Sequence, residues 1–291
     1  MTRWLLRLLT TLGVLIGPNA VAAPQRVVTL EFIATEAVLA LGLTPVGAAD
    51  AAGYRSWVAR PALPASVPDV GTRQEPSLET IATLAPDFIL GPALRLKPVE
   101  ARLTALAPTL LLDGYPKDVN ASQLDFMLAE FRKIGSALGR SAEAETLIAT
   151  LTARLAARKA QLAAAGKAGA VVVAQYLPGT PRLRVFTRNG QVGGVIAALG
   201  LTNGWTAPND VYGFSTVTAE ALAGLSAETT VMVIAPTGDA GWQALRSGPL
   251  WQALPPIRAG RERSLDPRTW TFGGPVSAQT LGDQISDALL N

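Results

Sequence analysis

The sequence predicts two similar α/β lobes with one long helix between them. Short apolar strands alternate with helices through most of the chain, at the spacing of parallel βαβ units. That rhythm stops over 141–165, "SAEAETLIATLTARLAARKAQLAAA", which consists almost wholly of strong helix formers. It restarts at Val171-Val172-Val173.

The elements follow in order. Residues 1–22 read as a secretory leader: Arg3 and Arg7 give a positive start, about Leu8 to Gly17 the apolar stretch, and Ala20-Val21-Ala22 a small-x-small cleavage site. The alternative, an N-terminal membrane anchor, is opposed by the short apolar stretch, and no second run of that kind follows. The first lobe, 23–139, opens with a strand at Val27 to Leu30 and a helix from Thr35 to Leu41 closed by Gly42. Val46 to Ala48 is a second strand, and Tyr54 and Trp57 lie in the Gly- and Pro-framed loop "AAGYRSWVARPALP". In "DVGTRQEPSLETIATLAPDFILG", Gly71-Thr72 turns the chain and Pro76-Ser77 opens a helix striped by Leu78, Ile81 and Leu84. Pro86 stops that helix and Phe88 to Leu90 is a buried strand. Ala101 to Leu106 is helical, Leu110 to Leu112 a strand, and Ala121 to Leu138 a helix.

The helix over 140–166 keeps Ile148, Leu151, Leu155 and Leu162 on one stripe and Arg154, Arg158 and Lys159 on another. Unbroken over 141–165, it spans about 36 Å. Taken alone, it is as well an amphipathic core helix as a strut between lobes. The second lobe, 167–291, adds helices at Val192 to Leu199, Ala219 to Leu225, Trp242 to Arg246 and Leu250 to Leu254, strands at Val231 to Ile234 and Glu262 to Leu265, and a last helix from Ser277 to Leu290.

Composition removes several functions. The chain has no histidine and no cysteine. That takes away the commonest zinc, copper and nickel ligand, the commonest general base, any Ser-His-Asp triad, any disulfide and any Cys-linked lipid. Losing Arg3 and Arg7 with the leader brings 25 Lys+Arg close to 22 Asp+Glu, so no charge excess points to nucleic acid or an anionic membrane. There is no G-x-G-x-x-G or G-x-x-x-x-G-K, and "GFSTV" at 213–217 lacks the closing glycine of a nucleophile elbow. The carboxylate pairs Glu31/Glu36 and Glu143/Glu145 read as ordinary helical surface. These absences argue against an enzyme; an exported hydrolase stays the alternative from another class.

A binding site is better supported. Rings sit in predicted loops: Tyr54 and Trp57, Tyr212 and Phe214 in "NDVYGFST", Trp270 and Phe272 in "DPRTWTFGGP". If that last segment is extended, its two rings project to one side. Loops after strands are where α/β proteins hold ligands, and such rings line a mostly apolar pocket. Arg73, just before a helix start, offers a planar fork to paired oxygens, with Arg95 in "GPALRLKP" as a second candidate.

The stretches "RVVTLEFIATEAVLALGLTPVGAAD", "YRSWV", "LPASVPDVGTRQEPSLE" and "PLWQALPPIRAGR" resemble the periplasmic ferric hydroxamate siderophore-binding proteins of Gram-negative ABC importers. The last pattern, with Trp251 and Gly260-Arg261, occurs across the wider siderophore, haem and cobalamin binders, and Trp251 reads as packing. The resemblance implies two Rossmann-like lobes, the 140–166 helix as their strut, a shallow ligand groove between them and modest closure. It implies a monomeric periplasmic protein without cofactor, whose partners are a ferric siderophore and an inner-membrane ABC permease. Arg73 then bonds the iron-bound hydroxamate oxygens and Trp57 is a wall ring. Tyr212 stands in place of a tryptophan, and Trp270 and Phe272 in place of a Trp-x-Tyr pair. Glu100 and Glu220, one per lobe, match the acidic residues that dock on the permease. Arg95 departs from the family, occupying the place of a tyrosine, and suits a more anionic chelate or solvent. Another iron chelate or cobalamin is the alternative within the class; haem lacks an axial histidine, though tyrosine ligation stays open. The expectation is that Arg73, Trp57, Tyr212 and Trp270 converge on one interlobe groove, and that an Arg73 buried against a core carboxylate would contradict it.

Overall fold

A computed structural model describes residues 23–291; the predicted leader lies outside the described residues. The first lobe runs β1 (Val27–Thr29), α1 (Phe32–Ala40), β2 (Gly47–Ala48), α2 (Ala51–Trp57), α3 (Leu78–Thr83), β3 (Phe88–Pro92), α4 (Ala93–Leu96), α5 (Glu100–Thr104), β4 (Thr109–Leu112) and α6 (Gln123–Ala137). Its sheet has the order β2-β1-β3-β4, all parallel. Such strands are buried on both faces. Side chains alternate accordingly: Val27 and Leu90 enter one core, Val28 and Ile89 the other.

After α7 (Ser141–Ala164) the chain continues β5 (Ala170–Leu177), β6 (Arg182–Phe186), α8 (Gln191–Ala198), β7 (Thr202–Asn203), β8 (Phe214–Val217), β9 (Thr230–Ile234), α9 (Ala240–Ser247), α10 (Pro249–Ala253), α11 (Pro255–Arg258), β10 (Glu262–Leu265) and α12 (Pro275–Leu290). The second sheet has the order β10-β9-β5-β6-β8, with β7 also paired to β5. It is mixed, because β6 runs antiparallel to both β5 and β8. The two lobes are therefore less alike than the sequence suggests. Trp251 is fully buried against Trp242, as packing.

The long helix joins two cores. Ala144 and Ile148 of α7 belong to a core of the first lobe, and Leu151, Leu155 and Leu162 to a core of the second. Its charged face is used too: Arg154 and Arg158 both donate to Asp283 of α12, at 2.8 and 2.7 Å. Two further contacts tie the lobes. The Gln123 amide at the start of α6 donates to Val211 O at 2.8 Å, beneath Gly213, whose φ of 77° and closeness to Gln123 exclude a side chain. Glu36 of α1 is fully buried and accepts from Ser277 N (3.0 Å) and Ser277 Oγ (2.5 Å) at the start of α12. Burial pushes the Glu36 carboxyl up, opposed by donors from Ser277, Gly274 and Val276.

Four expectations change. Helix α1 begins at Phe32, because Glu31 caps it: the Glu31 carboxylate accepts from Phe32 N at 2.8 Å. The 51–57 segment is a helix, capped by Asp50, which sits in the left-handed region at φ 53°; Tyr54 is consequently a core residue, fully buried. Phe214 lies on a strand and Arg95 on the short helix α4 rather than in loops. Ala219–Gly224 is 3-10 rather than α-helical.

Candidate ligand-binding groove

The four strands of the first sheet end side by side, and the residues just beyond them build one wall of an interlobe groove. This is where open α/β sheets bind ligands. Glu31 follows β1, Asp50 follows β2, Arg95 follows β3 and Tyr115 follows β4. Arg73 reaches in from the loop after Gly71, which is pinned to the sheet edge by Asp50 N donating to Gly71 O at 2.8 Å.

The charges on this wall are shared. Arg73 Nη1 donates to Glu31 Oε1 at 2.8 Å and its Nε to Asp50 Oδ2 at 3.2 Å. Arg95 Nη1 donates to the other oxygen, Glu31 Oε2. The Arg73 guanidinium also lies over the Phe32 ring, 4.0 Å from its centre. Asp50, Glu31 and Phe32 thus set the direction of the fork. A guanidinium has five N–H donors, so these bonds leave Arg73 with free donors. Arg73 is partly exposed, and Glu31 lies on the groove with 13% of its side chain exposed, not in the core.

The opposite wall is aromatic. Phe214 opens β8, and Trp270 and Phe272 sit between β10 and α12. Phe186, Phe214 and Phe272 pack mutually, and Trp270 and Phe272 meet edge to face at 5.5 Å. Rings also bridge the lobes: Trp270 meets the buried Phe32 at 5.2 Å, and across the groove Tyr212 meets Tyr115 at 5.3 Å. Beneath them Arg184 of β6 holds its guanidinium 5.0 Å from the centre of Phe214 and 5.6 Å from that of Phe272. Burial pushes the Tyr115 phenol up and the Arg184 guanidinium down.

The groove holds about 490 Å³, within the range of small-molecule sites. Arg73, Arg95, Tyr212, Phe214, Trp270 and Phe272 all line it. Trp57 does not: at the end of α2 it packs, partly buried, against the cluster around Phe32, Tyr54 and Val58, which Trp270 also touches. The resemblance implies a wall ring here, and the sequence a loop, whereas Asp50 caps a helix that holds Trp57 in this cluster. Of the lining residues that the sequence does not single out, Glu31, Arg184 and Tyr115 matter most to the two walls. In sequence Glu31 reads, with Glu36, as ordinary helical surface. Arg184 lies on a strand that no apolar run announces, although Leu183 and Val185 alternate with Arg182 and Arg184 at period two. Nothing local marks Tyr115.

Glu100 and Glu220 lie away from this groove, at the start of α5 and of the 3-10 turn Ala219–Gly224. Glu100 pairs with Lys97 at 2.6 Å. Glu220 is exposed, and hydrogen bonds from Thr218 and its own backbone hold its carboxyl below the usual range. Among the described residues no group of three or more His, Cys, Asp or Glu is placed to hold a metal ion, and no helix is long and apolar enough to cross a membrane.

Similarity to known proteins runs over the same frame. The iron(3+)-hydroxamate-binding protein FhuD of Escherichia coli is 30% identical over 266 residues, 91% of this chain and 87% of that protein. The Fe(3+)-citrate-binding protein YfmC of Bacillus subtilis is 28% identical over 272 residues, 92% of this chain and 82% of that protein. Among solved structures, the siderophore-binding protein FhuD of Vibrio cholerae with bound Fe3+-Desferal superposes with a TM-score of 0.83 at 30% identity, covering 91% of this chain and 98% of that one. These relatives are binding proteins and not enzymes, so the exported-hydrolase reading falls away. The family described as periplasmic binding protein matches residues 27–269, and the chain belongs to it.

Proposed function

We propose that this protein captures a ferric siderophore of the hydroxamate type in the interlobe groove and delivers it to an inner-membrane ABC permease. The observation that carries the reading is the pairing of Arg73, held in direction yet with donors free, with the rings Tyr212, Phe214, Trp270 and Phe272 across a groove of about 490 Å³. Hydroxamates wrap ferric iron in oxygen, so the protein supplies no metal ligand. Their oxygens share negative charge, which suits a guanidinium fork, and their carbon scaffold suits rings. The hydroxamate-binding relative and the Desferal-bound neighbour support this reading, and the citrate-binding relative supports an iron chelate more broadly.

In this reading the leader exports the chain to the periplasm, where it works as a monomer. Glu100 and Glu220, one per lobe and at the starts of helical turns, meet basic residues of the permease. The limits 23–139, 140–166 and 167–291 serve as first lobe, strut and second lobe.

Quenching of intrinsic tryptophan fluorescence by iron-loaded chelates tests it, because Trp270 lines the groove. Ferric trihydroxamates are expected to quench saturably, and Arg73→Ala to weaken that binding about 30- to 100-fold, the worth of a hydrogen bond to a charged group. Cobalamin or haem binding tightly, with no response to any ferric siderophore, would overturn the proposal.

A further inference from the structure

Of the cations lining the groove, Arg184 is the one without a carboxylate partner among the described residues. Arg73 and Arg95 share Glu31. Arg184 has only a long 3.4 Å hydrogen bond from Nη1 to the neutral Gln175 amide oxygen. Its Nε is buried with no partner at all. The side chain is half-buried, under Phe214 and Phe272.

A charge taken out of water is costly unless it is paired. Ring faces return part of that cost to a guanidinium, and they also fix its plane and keep water off one side. The remaining carboxylates of the groove do not answer it. Glu130 is engaged by Lys133 through one oxygen, its other oxygen is buried with no hydrogen-bond partner and makes no pair with Arg184, and Asp113 is exposed and solvated at the rim. The fold thus builds a cation into the aromatic wall and leaves its counter-charge to be supplied from outside.

We propose that Arg184 receives a negatively charged oxygen of the bound chelate and selects chelates carrying anionic charge beyond that which balances the iron. This deepens the siderophore reading and rests on it. Three hydroxamates balance Fe3+ and offer Arg184 only shared, neutralised oxygens. A chelate built on citrate or another polycarboxylate keeps a free carboxylate, the group that a planar fork binds best.

The test titrates the mature protein by tryptophan quenching with three probes: ferric desferrioxamine, ferric dicitrate in excess citrate, and ferric aerobactin, a citrate-hydroxamate chelate with free carboxylates. The variants are Arg184→Met, which keeps apolar bulk between the rings, and Arg184→Lys, which keeps charge; unchanged melting temperatures certify their folds. The wild-type protein is expected to bind at least one carboxylate-bearing chelate more tightly than ferric desferrioxamine. Arg184→Met is expected to weaken that chelate at least 30-fold and ferric desferrioxamine no more than threefold, with Arg184→Lys between. Equal losses for both classes, no loss, or wild-type preference for ferric desferrioxamine would each overturn the role of Arg184 while leaving the siderophore reading standing. Silence toward all three probes would overturn the siderophore reading itself, and this proposal with it.

Discussion

Glu31 and Glu36 belong to one short stretch of chain, yet they do opposite things. Glu31 caps α1 at the groove and stands between two arginines from distant parts of the chain, Arg73 in a loop and Arg95 on α4. Glu36 is fully buried and holds the first turn of α12, in the other lobe. One carboxylate faces the ligand space and can exchange partners; the other is a clasp between lobes. A carboxylate's surroundings decide its work, since sequence spacing alone makes the two look like one surface pair.

Glu36→Ala is expected to separate the two carboxylates most. It leaves buried donors at Ser277 and the start of α12 without acceptors, at a cost of about 3 kcal/mol or more. Urea unfolding is expected to show that loss, while chelate affinity of the folded fraction stays within a few-fold. A stability change under about 1 kcal/mol would mean that the clasp is not what joins the lobes. Glu31→Gln is expected to behave inversely. Glu31 is partly exposed and solvent screens its pairs, so stability should move by no more than about 1 kcal/mol. Removing the internal anion frees donors on Arg73, which Asp50 and Phe32 still orient, and affinity for anionic chelates should rise about three- to tenfold, about 1 kcal/mol. Weaker binding would instead make Glu31 an aligning strut.

The remaining effect is on pH dependence. Burial raises the Glu36 carboxyl, so the folded protein holds that proton more tightly than the unfolded chain does. The group's contribution is then fully present below the unfolded carboxyl pKa of about 4.3 and is lost as pH rises from there through the raised folded value. Glu36→Gln cannot titrate. The stability of wild type relative to this variant should therefore decline as pH rises above about 4.3, measured by melting temperatures of the two proteins side by side. A difference that grows in favour of wild type with rising pH would show the donors at Ser277 outweighing burial.

Much of the fold was legible because apolar runs announce buried parallel strands: Val27-Val28, Phe88 to Leu90, Val171 to Val173 and Val231 to Ile234 all lie in strands. The long helix was legible from composition. The edge region of the second sheet was not, because β6 carries Arg182 and Arg184 on one face and β8 is only partly buried. The groove divides the same way. Arg73 and the rings near Gly213 and Gly273 stood out as polar or aromatic residues in turn-rich segments. Glu31 did not, since the arginines it serves lie 42 and 64 residues away. Trp57 misled because Gly53 and Pro61 resemble loop punctuation, whereas the Asp50 side chain and the burial of Tyr54 make the segment a helix.

The Glu36 clasp also has a bearing on time. Its partner Ser277 lies 241 residues downstream, near the far end of the chain. A polypeptide emerges from the ribosome N-terminus first, so α1 exists long before the turn that satisfies its buried carboxylate. Until α12 is made and docked, Glu36 has only water to bond, and water disfavours closing that side of the first lobe. Contacts of such long sequence separation form late. The last helix therefore acts as the completing piece of the first lobe, and a half-made chain stays open at the point where the two lobes will meet.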